Sequence, residues 1–104
     1  ANLSISNNDK IIPKHGVYAV RVKIDNNTID GIMNIGLRPT INNNPNDLRL
    51  EVHLFNFNES IYGKSLKVNL MEIIRDEIKF DDIESLKNQI GVDCEKAKKI
   101  LQNI

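Results

Sequence analysis

The sequence predicts an α+β domain that is mainly β, a small antiparallel barrel or sheet with C-terminal helices packed against it. Three observations carry this. Four stretches between Gly16 and Ile74 have strand composition or two-residue alternation, and helical spacing begins only after Asp82. The 104 residues leave room for one domain.

Ala1 to Lys14 is polar and rich in asparagine, with Pro13 breaking it, and reads as loop or an extended edge segment. Gly16 opens a strand in which β-branched and aromatic residues dominate up to Ile24. Asp25–Asn26–Asn27 is a turn cluster, and Thr28 to Asn34 is the returning strand of a hairpin. Gly36 and Pro39 then interrupt the pattern, and Ile41 to Asp47 is a polar loop. Leu48 to Phe57 is a third strand, with Leu50, Val52 and Leu54 on one face and Glu51, His53 and Phe55 on the other. Asn58 to Lys64 turns, and Ser65 to Ile74 is a fourth strand placing Leu66, Val68, Leu70 and Glu72 together. After the charged link Arg75 to Phe80, Asp82 caps a helix carrying Ile83, Leu86 and Ile90, which Gly91 ends. Asp93 caps a second helix with Ala97, Ile100, Leu101 and Ile104 on one face.

Composition removes several functions. Fourteen Lys plus Arg balance fourteen Asp plus Glu, and no basic run occurs, so the electrostatic footprint of a duplex-binding protein is missing and no nucleic-acid partner is expected. No apolar stretch approaches the roughly 20 residues that span a bilayer. Ala1 to Lys10 lacks the basic start and apolar core of a signal peptide, so a soluble, cytoplasmic domain with no membrane partner is expected. Cys94 alone makes no internal disulfide, and Cys and His are too few for a four-ligand zinc site.

Glu51 is the most informative residue. A mid-strand carboxylate is disfavoured by propensity, and this one shares its face with Phe55. It is either a partly shielded base able to take a proton from a hydroxyl, or a solvated residue on a one-sided sheet. The Asn34–Ile35–Gly36 turn either presents backbone amides to a ligand or is a structural loop. Arg75 and Lys79 either meet a phosphate or flavin edge or make surface ion pairs. His53 reads as a hydrogen-bonded surface histidine before a ligand. Cys94 reads as passive before a thiol activated by helix amides. The glycine-rich phosphate loop, the dinucleotide fingerprint and the serine nucleophile elbow are all missing.

Taken together, Gly16–Val17–Tyr18–Ala19–Val20, Asn34–Ile35–Gly36–x–Arg38–Pro39–Thr40, Glu51–Val52–His53–Leu54, Ile61–Tyr62–Gly63 and Arg75–x–Glu77–x–Lys79–Phe80–Asp81 resemble, in order and spacing, the riboflavin kinase family. The resemblance is strongest to the C-terminal kinase domain of bacterial bifunctional riboflavin kinase/FAD synthetases, and it covers nearly the whole chain. It implies a six-stranded antiparallel Greek-key barrel with C-terminal helices, and transfer of the ATP γ-phosphoryl group to riboflavin, giving FMN and ADP with Mg²⁺. A non-catalytic flavin- or nucleotide-binding barrel of the same descent is the alternative.

By the resemblance Glu51 is the general base for the ribityl 5′-hydroxyl. Ala1–Asn2 corresponds to the end of the family's Pro-Thr-Ala-Asn motif, which makes Asn2 a ligand of Mg²⁺ and of the ATP phosphates in preference to Asn42. Leu54, Asn56 and Tyr62 fall at nucleotide contacts, and Arg75, Ile78 and Ser85 at flavin contacts. Residues 1–104 then form one kinase domain, truncated within that motif, without its first strand and glycine-rich loop. It is expected to follow an FMN adenylyltransferase domain in a longer protein, and on its own to be weakly active or inactive.

Overall fold

The computed structural model describes residues 2–7, 13–37 and 48–104. Five strands and one helix form among them: β1 (Asn2–Asn7), β2 (Gly16–Ile24), β3 (Asn27–Leu37), β4 (Leu48–Leu54), β5 (Ser65–Asp76) and α1 (Ile83–Gln102). The predicted hairpin is present as β2 and β3, closed at Ile24↔Asn27 through Asp25, whose φ of 55° lies in the left-handed region that Asp tolerates. The polar start contributes an edge strand.

The strands lie in the order β1-β5-β2-β3-β4. The expectation of an antiparallel sheet is corrected at one pair, because β1 and β5 run parallel. Consecutive strands alternate in direction, so the first and fifth point the same way, and they lie side by side; the sheet is therefore mixed. Leu3 from one edge strand and Val52 and Leu54 from the other pack against the same core, so the sheet curls into half a barrel. That core holds Tyr18, Val20, Val22, Met33, Leu66 and Val68. Burying each such side chain contributes about 1.5–3 kcal/mol.

The opposite face of the sheet carries Val17, Ala19 and Ile32, and α1 covers them with Ala97 and Leu101. Two bulges in β5 set which residues reach this side. Val17 pairs with Arg75 and Tyr18 with Ile73, leaving Ile74 as an extra residue; Ala19 pairs with Glu72 and Val20 with Leu70, leaving Met71 extra. Met71 and Ile74 pack on the helix side. Glu72, opposite Ala19, therefore leaves the Leu66–Val68–Leu70 face that strict alternation predicts for it.

The two predicted helices are one. Gly91 sits within α1 with nothing near the place a Cβ would occupy, so it neither turns the chain nor packs. An interior glycine costs a helix only about 1 kcal/mol, less than the burial of Ala97 and Leu101 on the sheet returns. Asp93, expected as a cap, is a fully buried mid-helix residue. Arg21 reaches from β2 to the Leu101 carbonyl (2.9 Å), placing a cation at the negative end of the helix.

Asp82 is the cap that the sequence predicts. Its Oδ1 accepts from the Ser85 amide at 2.7 Å, and this bond, with one from the Ser85 hydroxyl, holds its carboxyl below the usual aspartate range. A lowered folded-state pKa means that the cap contributes fully above about pH 3.9 and fades as pH falls through the lower folded value. Asp82→Ala is expected to lower the helical circular dichroism of the heated protein at neutral pH, and the gap from wild type should close at low pH. A gap independent of pH would show that the carboxylate is not what caps α1.

Candidate active site

A cavity of about 420 Å³ opens between the sheet and the N-terminal half of α1. Its walls come from β2, β3, β4, the end of β5, the link after it, and α1. Glu51 lies on this wall because β4 alternates cleanly: Val52 and Leu54 turn to the barrel core, while Glu51 and His53 face the helix side opposite Asn34 and Ile32. The Glu51 side chain is 52% exposed and paired with Arg49, two residues away on the same strand face. It is therefore a half-exposed carboxylate on a cavity wall, between the two alternatives that the sequence leaves open.

Arg75 reaches the cavity because the bulges put it opposite Val17. Its Nε donates to both Asp93 carboxylate oxygens (3.0 and 2.9 Å), Nη2 lies 2.9 Å from Asp93 Oδ2, and Nη1 donates to the Asp76 carbonyl at 3.2 Å. Gln89 donates to Asp93 Oδ1 at 3.0 Å. The guanidinium also lies over the Phe80 ring, 5.6 Å from its centre. Among the described residues Nε and one N–H of Nη1 donate and Nη2 is ion-paired to Asp93, so each terminal nitrogen keeps an N–H for a bound molecule. Arg75 is thus a clamped, part-buried cation and not the surface ion pair that is usual for such a link.

Ile78, Leu86 and Ile90 line the same cavity and are among the exposed large hydrophobic residues. Apolar surface beside a fixed cation and a carboxylate, in a concave site, is what a ligand with a flat apolar body and polar ends requires. Two glycines let neighbouring segments approach the cavity-lining residues Glu77 and Arg75 closely: a Cβ on Gly36 would collide with the Glu77 carboxylate, and one on Gly16 would lie 2.5 Å from the Arg75 carbonyl oxygen.

The structure brings together Glu51, Arg75 and Ile78. Ser85 is not on the cavity wall; its amide and hydroxyl both serve the Asp82 cap. Leu54 packs into the barrel core on the other face of β4. Asn56 turns the chain out of β4 with a φ of 54° and lines a separate, open groove of about 850 Å³ with Phe55, Lys98 and Gln102. Tyr62 is 92% exposed. Asn2 opens β1 opposite Ser65, and its side chain lies outside the described residues, as do Arg38 to Asp47 with Asn42. Among the described residues no cluster of three or more His, Cys, Asp or Glu is placed to hold a metal ion. His53 packs edge-on against Phe55. Cys94 lies mid-helix, and burial pushes its thiol up, as the passive reading expects.

Sequence reasoning missed two residues here. Asp93 was disguised by its cap-like residue type, although a carboxylate one turn after Gln89 on an otherwise apolar helix stripe signals a buried partner. Asn34 is read from sequence as the last residue of the returning strand, where a glycine turn begins, but β3 continues to Leu37 and Asn34 lines the cavity.

A family model described as riboflavin kinase (Flavokinase) matches residues 1–101. The bifunctional riboflavin kinase/FMN adenylyltransferase of Bacillus subtilis is 37% identical over 105 residues, covering all of this chain and 33% of that protein. The protein of the same name from Haemophilus influenzae is 46% identical over 90 residues, 86% of this chain and 29% of that one. The chain thus spans about a third of the length of these curated relatives. Among solved structures, one described as a macrolide-efflux protein from Streptococcus pneumoniae superposes with a TM-score of 0.69 at 34% identity, over 80% of this chain and 27% of that chain. Among the described residues no helix is long and apolar enough to cross a membrane.

Proposed function

The chain belongs to the riboflavin kinase family, and from that premise we propose that it is the kinase module of a longer bifunctional protein, transferring the γ-phosphoryl group of ATP to the 5′-hydroxyl of riboflavin. One observation carries the reading: Glu51, Arg75 and the apolar residues Ile78, Leu86 and Ile90 share a single cavity.

In this reading the isoalloxazine ring lies on the apolar residues, with the two unused N–H groups of Arg75 as donors to its carbonyls. The ribityl chain runs toward β4, where Glu51 accepts the proton of the attacking hydroxyl. Phosphoryl transfer asks little covalent chemistry of a protein, so holding the hydroxyl in line is the main task of these groups. Asn2, Leu54, Asn56 and Tyr62 are the proposed nucleotide side and Ser85 a further flavin contact. Mg²⁺ enters with ATP; the described residues supply no acidic or imidazole cluster for it. The reading also includes cytoplasmic location, an adjoining FMN adenylyltransferase domain, and a preceding strand and glycine-rich loop that complete a six-stranded Greek-key barrel.

The test is chromatographic detection of FMN from riboflavin, ATP and Mg²⁺. The full-length protein is expected to form FMN and the 104-residue chain far less. Flavin binding by the full-length protein without FMN formation would instead support the alternative of a non-catalytic flavin-binding barrel.

A further inference from the structure

We infer that Asn34 determines specificity for the polyol chain of the substrate: its side-chain oxygen accepts a hydrogen bond from the ribityl 4′-hydroxyl and so sets the neighbouring 5′-hydroxyl before Glu51. This deepens the proposed kinase reading and rests on it.

Asn34 Oδ1 is buried and has no hydrogen-bond partner among the described residues. Buried polar atoms are rarely left this way, and because Asn34 itself lines the cavity, a turn of its amide about the Cβ–Cγ bond carries the unmet acceptor to a bound donor. Its neighbours do not provide the donor. Val17, paired with it across β2, is apolar, and Glu51, paired with it across β4, is acceptor-only when ionised. The Arg49 guanidinium is bound to Glu51, and the N–H groups that Arg75 keeps free of Asp93 and the Asp76 carbonyl make no hydrogen bond to Asn34 Oδ1.

The register identifies which donor. Directly opposed residues of an antiparallel pair have Cβ atoms about 4.5–5.5 Å apart, so the amide of Asn34 and the carboxylate of Glu51 address adjacent points of one bound chain. If Glu51 receives the proton of the terminal hydroxyl, the group one carbon along is a secondary hydroxyl, and its O–H is the donor that Oδ1 lacks. The ring N–H lies at the far end of the ribityl chain, toward Arg75 and Ile78.

The experiment compares riboflavin with 4′-deoxyriboflavin in the full-length protein, wild type and Asn34→Ala. Wild type is expected to favour riboflavin by roughly 10–100-fold in kcat/KM, and Asn34→Ala to compress that ratio to within about threefold, mainly by losing activity on riboflavin. A general loosening of the site lowers both substrates alike, so a variant that keeps the wild-type ratio overturns the assignment. Equal use of the two flavins by wild type overturns it without any variant, which covers the case of a poorly folded Asn34→Ala protein. No FMN from wild type rejects the kinase reading and this inference with it, whereas FMN formation with an unchanged ratio rejects the Asn34 role alone.

Discussion

Glu51→Gln in the full-length protein is expected to lower kcat for FMN formation by roughly 10²–10⁴-fold and to leave riboflavin affinity nearly unchanged. Glutamine keeps the size of the side chain and its capacity to hydrogen-bond a hydroxyl, but it cannot carry away the proton. The substitution also breaks the Arg49–Glu51 pair, whose members are both half exposed, and such a pair contributes between about 0 and 1 kcal/mol. A change in stability therefore cannot account for a loss of turnover on that scale. Quenching of flavin fluorescence measures the affinity, and FMN formation under saturating substrates measures kcat. An unchanged kcat would move the base to another residue; a collapse of affinity with kcat preserved would make Glu51 a binding group only.

Asp93→Ala is expected to destabilise the domain by about 3–5 kcal/mol, because it strands a guanidinium that has little access to water. Arg75 is 12% exposed and Asp93 1%, so solvent does not replace the lost partner as it would at a surface pair. For a domain of this size the loss corresponds to roughly 12–40 °C in Tm. The double variant Asp93→Leu with Arg75→Met should recover much of that stability while losing flavin affinity, since the charges cost desolvation and the cavity loses its fixed donor. Thermal melts of the three proteins check the order. A single variant melting within a few degrees of wild type would mean that the ion pair does not hold α1 to the sheet.

Much of this architecture was legible in the residues. The hairpin of β2 and β3 follows from its turn cluster and β-branched strands, and the alternation in β4 correctly assigns Glu51 and Val52 to opposite faces. These are local patterns, and they depend on nothing distant. What was not legible depends on partners. The two extra residues of β5 exist only relative to β2, so no periodicity within β5 announces them, and Glu72, which lies between them, is misassigned without them. Gly91 and Asp93 have the residue types of a helix end and a helix start, but α1 runs through both: Arg75 and Gln89 occupy the Asp93 carboxylate, and Ala97 and Leu101 are buried against the sheet beyond it. Asn34 is ordinary in composition, and its interest lies in an oxygen that only the packed structure shows to be without a donor.

The pair of register shifts in β5 makes the number of residues between Leu70 and Arg75 matter more than their identities. Removing or adding one would rotate everything downstream by half a pleat, sending the arginine toward the barrel interior and away from its carboxylate on the helix. Relatives with the same chemistry should therefore vary freely in spelling across this stretch and hardly at all in its length.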